Sequence, residues 1–295
     1  MDLKNKMNFK MFSTCFEIIA GPCAVESQGQ MESTIKQLPD NIKYVRGGIW
    51  KPRTSANMFE GHGAGPAFEW LCYTAIKYGK FPILEISTVS QLKQYIEFLD
   101  TKINNQCPLL FWIGARSSGD PFAVAEIASY IKTASYFKTI SRNDIFIFVK
   151  NPIVEDEALW IDAVERLYNA GINGIGLIYR GTFKHKNKDI KQDDKISEMK
   201  VLESYEKELN EFRNYYNPEF ALSVQKHLGD KIDLFLDPSH IVGDSKRIKD
   251  FCLNEYKKHI YNGFIIETHC NPEEAITDRN QQITPKVLSK IIKSI

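Results

Sequence analysis

The chain carries eight short apolar runs, spread along its length, and nearly every run ends at a residue that can do chemistry. The runs are Phe16 to Ala20, Tyr44 to Trp50, Phe81 to Leu84, Leu109 to Gly114, Ile145 to Val149, Ile172 to Tyr179, Ile232 to Leu236 and Phe264 to Ile266. Their length and their β-branched and aromatic content predict strands that are buried on both faces, as in a parallel sheet. Polar residues at the carboxyl ends of eight such strands predict an α/β fold, a (β/α)8 TIM barrel with its active site at that face.

Most intervals between the runs have apolar residues at helical spacing. The predicted helices cover residues 67–78, 89–99, 122–131, 157–170, 218–228 and 285–295. The interval from Arg180 to His240 is twice the usual length, and its charged stretch, residues 184–195, predicts an exposed loop before a helical pattern over 198–215. We therefore predict an N-terminal extension over residues 1–15 and a single catalytic barrel over residues 16–295, with an insertion within about 182–230.

Composition and charge narrow the class of protein. The chain has 295 residues, of which 43% are hydrophobic and 25% charged, and a formal net charge of +1. Such a balance is ordinary for a globular protein and gives no sign of a nucleic-acid or membrane partner. The six cysteines form no Cys-x-x-Cys pair, and no signal peptide is recognisable, so we expect reduced thiols and a cytoplasmic location.

Four residues at or after the ends of the first, seventh and eighth runs are candidate metal ligands: Cys23, His240, Glu267 and Asp278. Thiolate, imidazole and carboxylate are the usual protein ligands of divalent transition metals. Strands one, seven and eight are neighbours in a closed barrel, so these side chains are expected to meet. Taken singly, each has a plainer interpretation: a buried cysteine packs as a small hydrophobic residue, and Asp278 could cap a helix.

Basic residues gather at the same strand ends. They are Arg46, Lys51, Arg53, Arg116, Lys150 and Arg180, with the hydroxyls of Thr54 and Ser55 beside them and Glu85 as an acid able to neutralise one of them. Arginine binds phosphate or carboxylate through two nitrogens, and lysine acts as a point charge. So many cations in one cavity would repel one another unless a polyanion were bound, so the sequence predicts a substrate site with more than one anionic group.

At these residues the chain resembles the 3-deoxy-D-arabino-heptulosonate 7-phosphate (DAHP) synthases, in particular the type Iβ branch of the DAHP/KDO8P synthase family. The matching segments are Gly21 to Ser27, Arg46 to Ser55, Ile113 to Arg116, Lys150, Tyr179 to Gly181, Asp237 to His240 and Ile266 to Gln282. The resemblance covers almost the whole chain, in order. Two departures are that Asn151-Pro152 follows Lys150, where many relatives have Arg-Gly, and that Thr182-Phe183 follows Gly181.

The resemblance implies a transferase that joins phosphoenolpyruvate to erythrose 4-phosphate and releases phosphate, the first step of the shikimate pathway to chorismate and the aromatic amino acids. It implies one divalent metal ion (Mn, Fe, Co or Zn) bound by Cys23, His240, Glu267 and Asp278. The substrate-binding residues would be Arg46, Lys51, Arg53, Thr54, Ser55, Glu85, Arg116, Lys150 and Arg180, with Arg53, Thr54 and Ser55 at the sugar phosphate. The catalytic residues would be Lys51, Cys23 and His240, and Lys51 would protonate the developing alkoxide.

Further expectations and rivals remain. We expect a homo-oligomer (a dimer or tetramer), no feedback site on this chain, and a possible separate chorismate mutase as partner. The nearest rival function is that of a KDO8P synthase using arabinose 5-phosphate, although the loop Lys51 to Ser55 favours the shorter sugar. Other rivals are a metal-free Schiff-base aldolase with Lys51 or Lys150 as nucleophile, and an inactive barrel that serves as a binding protein.

Overall fold

The protein is known here from a computed structural model, which describes residues 16–51, 57–104, 107–141, 144–183, 211–229 and 231–295. Several predictions fall on other parts of the chain. Three predicted segments lie outside the described residues: the N-terminal extension over residues 1–15, the loop with Arg53, Thr54 and Ser55, and most of the insertion, including residues 198–210 of the predicted helical pattern.

Eight strands form a closed barrel in sequence order, and each pairs in parallel with its neighbours. The strands are β1 (Glu17–Gly21), β2 (Tyr44–Arg46), β3 (Phe81–Ile86), β4 (Leu109–Ile113), β5 (Ile145–Lys150), β6 (Ile175–Tyr179), β7 (Asp233–Leu236) and β8 (Gly263–Glu267). The predicted (β/α)8 architecture is therefore confirmed. The second strand is shorter than its apolar run, Tyr44 to Trp50, predicted. Strand β2 ends at Arg46, and the residues that follow form an isolated bridge and a bend.

Helices surround the barrel. In the described ranges they are α1 (Gln28–Gln37), α2 (Pro66–Lys77), α3 (Val89–Lys102), α4 (Ala115–Ser118), α5 (Pro121–Thr133), α6 (Tyr136–Thr139), α7 (Glu157–Asn169), α8 (Pro218–Leu228), α9 (Pro238–Val242), α10 (Ser245–Tyr256) and α11 (Pro285–Ile292). Two 3-10 turns, Pro272–Glu274 and Arg279–Gln281, follow β8. None of the described helices combines the length and the apolar character that a membrane span requires.

Strand alternation divides the core into two parts. Every second strand residue packs outward against the helices, and the others fill the inside of the barrel. The inner set is Ile19, Tyr44, Ile83, Leu110, Trp112, Phe146, Phe148, Ile178, Phe235 and Ile265. Because the period is two, the next inward position on several strands falls at the carboxyl end. Those positions carry Arg46, Glu85, Lys150, Arg180, Asp237 and Glu267. The alternation of side chains along each strand therefore places these charged groups at the barrel mouth.

The aromatic packing inside the barrel depends on an inward glycine. Phe148 and Phe235 meet edge to face at 5.0 Å. A Cβ at Gly263 would lie 2.3 Å from the Glu17 carbonyl oxygen and 2.4 Å from the Phe235 ring. We expect Gly263→Ala to destabilise the protein by about 2 kcal/mol or more, because both backbone and ring must shift. Urea unfolding measures this. The control is Gly29→Ala in α1, where a Cβ meets nothing within 4 Å and stability should stay equal or rise by about 0.5–1 kcal/mol.

Candidate active site at the barrel mouth

The Cys23 thiol lies just beyond β1, completely buried, between an acid and a base. Its Sγ donates to Asp278 Oδ2 at 3.2 Å, and Lys51 Nζ donates both to Sγ and to the Cys23 carbonyl oxygen, each at 2.9 Å. Burial raises the pKa of the Cys23 thiol to about 12, and Glu267 raises it further while Lys51 opposes the rise. Asp278, eleven residues after Glu267 in the chain, thus folds back onto the site as predicted.

A glycine permits the close approach of Lys51 to Cys23. The segment after β2 runs beside the segment after β1, with the Gly48 N–H donating to the Cys23 carbonyl oxygen at 3.2 Å. A Cβ on Gly48 would lie 2.6 Å from that same oxygen and 3.2 Å from Lys51 Nζ. Glycine is therefore required here for the two backbones to pass and for the ammonium group to reach the thiol.

Asp237 holds a lysine and a histidine at once. One carboxylate oxygen, Oδ2, lies 2.7 Å from Lys150 Nζ and 2.8 Å from His240 Nδ1, and the side chain is fully buried. Burial alone would raise the pKa of Asp237, but the charges of His240 and Lys150 hold it well below its usual range. Because Nδ1 is held by the carboxylate, the opposite nitrogen, Nε2, faces Glu267 at 3.9 Å from Oε1. A carboxylate that orients a histidine in this way is typical of metal-binding histidines.

Glu267 ends β8 and is fully buried among donors. Arg46 Nη2 lies 3.0 Å from Oε1, and Gln281 Nε2 donates to Oε2 at 2.6 Å. The Arg46 guanidinium stacks over Trp112 at 5.2 Å, and Lys150 Nζ lies over the same ring at 5.4 Å. The cations of the barrel mouth are partly neutralised by acids from other strand ends, because Arg46 pairs with Glu267 and Lys150 with Asp237. The pairing of these acids and bases depends on how the strands close into a barrel, so it could not be predicted from the order of the strands alone.

The Asp237 ion pairs give a stability prediction. Asp237→Asn leaves Lys150 buried without its counterion, so we expect a loss of about 3–5 kcal/mol in the free energy of unfolding. The matched control is Asp162→Asn, which removes the carboxylate of the half-exposed pair with Arg166 at 2.5 Å and should cost less than about 1 kcal/mol. Denaturant unfolding of both variants checks this, and equal losses would contradict the description of Asp237 as the hub of a buried ion-pair network.

Two arginines keep buried N–H groups without hydrogen-bond partners in the part of the chain that the structure describes. These are Nε and Nη1 of Arg46 and Nη1 of Arg180. Burial lowers the pKa of Arg180 to about 10; Asp237 opposes this fall, while Arg213 and Arg116 add to it. Buried cationic donors that lack acceptors are costly, so this geometry indicates a place for an anion.

Other predicted site residues take up varied positions. Arg116 lies on α4, exposed, close enough to Arg180 to lower its pKa. Glu85 accepts from the Trp112 indole nitrogen at 3.0 Å and so stands beside the cations. Four residues that contribute to the site were not predicted from the sequence: Trp112, Arg213, Gln281 and Gln282. Trp112 could have been predicted, because strand alternation places its side chain inside the barrel, two residues before the end of the apolar run.

The four predicted metal ligands come together as two pairs. Cys23 contacts Asp278, and His240 faces Glu267, at the distances given above. Across the described ranges no three His, Cys, Asp or Glu side chains are grouped closely enough to hold a metal ion as they stand. The donor set still fits a divalent ion chemically. A thiol, an imidazole nitrogen with its opposite nitrogen held by Asp237, and two carboxylates line the same barrel mouth.

The chain is similar to known proteins in both sequence and fold. A phospho-2-dehydro-3-deoxyheptonate aldolase of Thermotoga maritima is 24% identical over 284 residues, 95% of this chain and 69% of that protein. The crystal structure of a T. maritima DAHP synthase superposes with a TM-score of 0.69 at 22% identity, covering 95% of this chain and 68% of that one. A truncated T. maritima DAHP synthase gives 0.67 at 21% identity, with 95% and 85% covered. The two structures show the shared fold. Residues 13–294 match the family described as the DAHP synthetase I family, and the chain belongs to that family.

Proposed function

We propose that this protein condenses phosphoenolpyruvate with erythrose 4-phosphate to give DAHP and phosphate, as the metal-dependent first step of the shikimate pathway. The observation that carries the proposal is the pair of buried arginines, Arg46 and Arg180, whose guanidinium N–H groups lack partners in the described ranges. They lie in the same barrel mouth as the thiol, imidazole and carboxylate groups. Family membership supports the same reaction.

The cations would bind and orient phosphoenolpyruvate. Arg46 and Lys150 both lie over the Trp112 ring, and Arg180 directly follows strand β6, which pairs with the strand of Lys150. Their carboxylate partners, Glu267 and Asp237, hold Arg46 and Lys150 rigidly and offset part of their charge. A phosphate and a carboxylate on one small molecule supply two acceptors for the donors that remain. Fixing the enol phosphate in one orientation removes much of the entropic part of the barrier.

Cys23, His240, Glu267 and Asp278 are the residues that would hold the divalent ion. Bound there, the ion would polarise the aldehyde of erythrose 4-phosphate as a Lewis acid. Carbon 3 of phosphoenolpyruvate then attacks the aldehyde carbon, water adds at carbon 2, and phosphate leaves as the hemiketal collapses. The buried cations Arg46, Lys150 and Arg180 would stabilise the negative charge of phosphoenolpyruvate and of the departing phosphate.

In this mechanism Lys51 would give a proton to the oxygen formed from the aldehyde. Its Nζ already donates to the Cys23 thiol and carbonyl oxygen. Burial alone would lower the pKa of Lys51, but Cys23 and Glu267 more than offset this and leave it raised. A lysine that stays protonated is a proton donor and a poor nucleophile, which argues against a Schiff-base aldolase at this position. Lys150, paired with Asp237, is equally unsuited to that role.

Phosphate release from phosphoenolpyruvate tests the proposal. We expect release only when erythrose 4-phosphate is present, loss of that activity with a chelator, and recovery when Mn²⁺ is added back. Arabinose 5-phosphate in place of erythrose 4-phosphate should give little product. Faster turnover with arabinose 5-phosphate would assign a KDO8P synthase, and activity that resists the chelator would contradict the metal-dependent mechanism. The homo-oligomeric state, a separate chorismate mutase and the cytoplasmic location stay predictions.

A further inference from the structure

One amide and one guanidinium group connect the two candidate metal-binding carboxylates. The Gln281 side chain, 1% exposed, donates from Nε2 to Glu267 Oε2 at 2.6 Å, and its Oε1 accepts from Arg213 Nη1. The same Nη1 of Arg213 donates to Asp278 Oδ1 at 3.0 Å. Glu267 and Asp278 are therefore the two ends of a short hydrogen-bonded chain that runs through Gln281 and Arg213.

The contacts select particular carboxylate oxygens. Arg213 binds Oδ1 of Asp278 and leaves Oδ2 facing the Cys23 thiol at 3.2 Å. Gln281 binds Oε2 of Glu267, while Oε1 lies 3.0 Å from Arg46 Nη2 and 3.9 Å from His240 Nε2. In each carboxylate one oxygen is thus held by Arg213 or Gln281, and the other lies toward another candidate ligand. Such an arrangement presets the orientation of ligands for a metal ion.

The backbone is shaped so that Arg213 reaches this position. The segment around it pairs with the turn that carries His240, since Arg213 N–H donates to Val242 O at 3.2 Å and Asn214 Nδ2 donates to His240 O at 2.6 Å. Gly243 has a φ of +73°, and a Cβ there would lie 2.5 Å from Arg213 Cβ. The arginine stem thus passes over a glycine where any side chain would clash.

Asp278 itself has an unfavourable backbone conformation. Its φ of +49° lies in the left-handed region, which costs a non-glycine residue free energy. The adjacent residues are tied down by Gln282, whose Oε1 accepts from the Cys23 N–H at 2.9 Å and whose Nε2 donates to the Thr277 carbonyl oxygen at 2.8 Å. Strain held in place by this many contacts is typical of a functional site.

We propose that Arg213 and Gln281 are positioning residues that hold Asp278 and Glu267 in the orientation needed to bind the divalent ion. The proposal rests on the proposed function, because it concerns the same four ligands. In this proposal the two residues act through the carboxylates and not by binding substrate. Their removal should therefore weaken metal binding before it changes substrate affinity.

The test is the Mn²⁺ dissociation constant of metal-stripped, full-length protein, measured by titration calorimetry. Gln281→Met keeps length and neutrality and removes both hydrogen bonds. Arg213→Lys keeps the charge, shortens the side chain and removes the guanidinium group whose Nη1 makes both contacts. We expect about 10–100-fold weaker Mn²⁺ binding in each variant, with an unchanged KM for phosphoenolpyruvate at saturating Mn²⁺. The controls are Gln225→Met on α8, where Gln225 donates to Ile232 O, and Arg279→Lys, exposed beside Asp278. Both should bind Mn²⁺ like the wild type.

Two results would overturn the proposal while leaving the proposed function intact. One is wild-type Mn²⁺ affinity in both site variants. The other is a tenfold or larger rise in the KM for phosphoenolpyruvate in Arg213→Lys with Mn²⁺ affinity unchanged, which would make Arg213 a substrate-binding residue. If the wild-type protein itself binds no Mn²⁺ and forms no DAHP, the proposed function fails, and this proposal fails with it.

Discussion

Replacing Cys23 with alanine is expected to lower kcat for DAHP formation by at least about 10³-fold, because the Lewis acid contribution of several kcal/mol is lost with the metal. The thiol is fully buried and contacts both Asp278 and Lys51, so it lies at the centre of the candidate site. Mn²⁺ titration of the same variant should show weakened binding. Steady-state phosphate release at saturating substrates measures the rate.

The matched control for this variant is Cys72→Ala. Cys72 is also a fully buried free cysteine, but it lies on α2 in the outer core. It should lose some stability, as any shortened core residue does, and keep wild-type activity and metal affinity. Cys23→Ala with near wild-type turnover would remove the thiol from the mechanism and with it the assignment of the metal ligands.

Arg180→Met is expected to change activity and stability in opposite directions. The variant removes a buried guanidinium with an unpaired N–H, so kcat/KM for phosphoenolpyruvate should fall about 10²–10³-fold through loss of a charge-assisted contact. The folded protein should become more stable by about 1 kcal/mol or more, because a poorly compensated buried charge is replaced by an apolar side chain of similar length. Burial lowers the pKa of Arg180, which means that the folded protein disfavours its charged form, in agreement with the expected gain in stability.

Kinetics and denaturant unfolding of Arg180→Met must be read together. A fall in both activity and stability would mean that Arg180 supports the fold, and the anion-site interpretation would be lost. Arg166→Met on α7 is the control, since Arg166 forms a half-exposed pair with Asp162. That change should leave kcat/KM unaltered and shift stability by less than about 1 kcal/mol.

The barrel and most of its charged mouth follow from local patterns in the sequence. Arg46, Lys150 and Glu267 are predicted as site residues because each lies at the end of an apolar run, and period-two alternation along the strand explains why they face inward. The helix α1 was missed because its residues are mostly polar. Ser27 with Gln30 three residues later is a typical helix N-cap pattern and could have indicated this helix. In the structure Ser27 Oγ accepts from the Gln30 N–H at 3.1 Å.

Pairings across the barrel mouth could not be read from the sequence in the same way. Arg213 belongs to an irregular segment, and its contact with Asp278 joins residues far apart in the chain, with no periodic pattern to indicate it. Gln281 and Gln282 follow a turn in which one residue, Asp278, has positive φ, so neither their directions nor their partners follow from helical or strand spacing. Such contacts depend on three-dimensional closure and on turn geometry, which local propensity does not specify.

The most direct test of the central claim is a crystal structure grown with Mn²⁺ and measured at the manganese absorption edge. We expect one anomalous peak at the barrel mouth, about 2–2.5 Å from Cys23 Sγ, His240 Nε2, Glu267 Oε1 and Asp278 Oδ2. We also expect Lys51 to leave the thiol when the ion binds. No peak among these four side chains, with Lys51 and Asp278 still in contact with Cys23, would contradict the account.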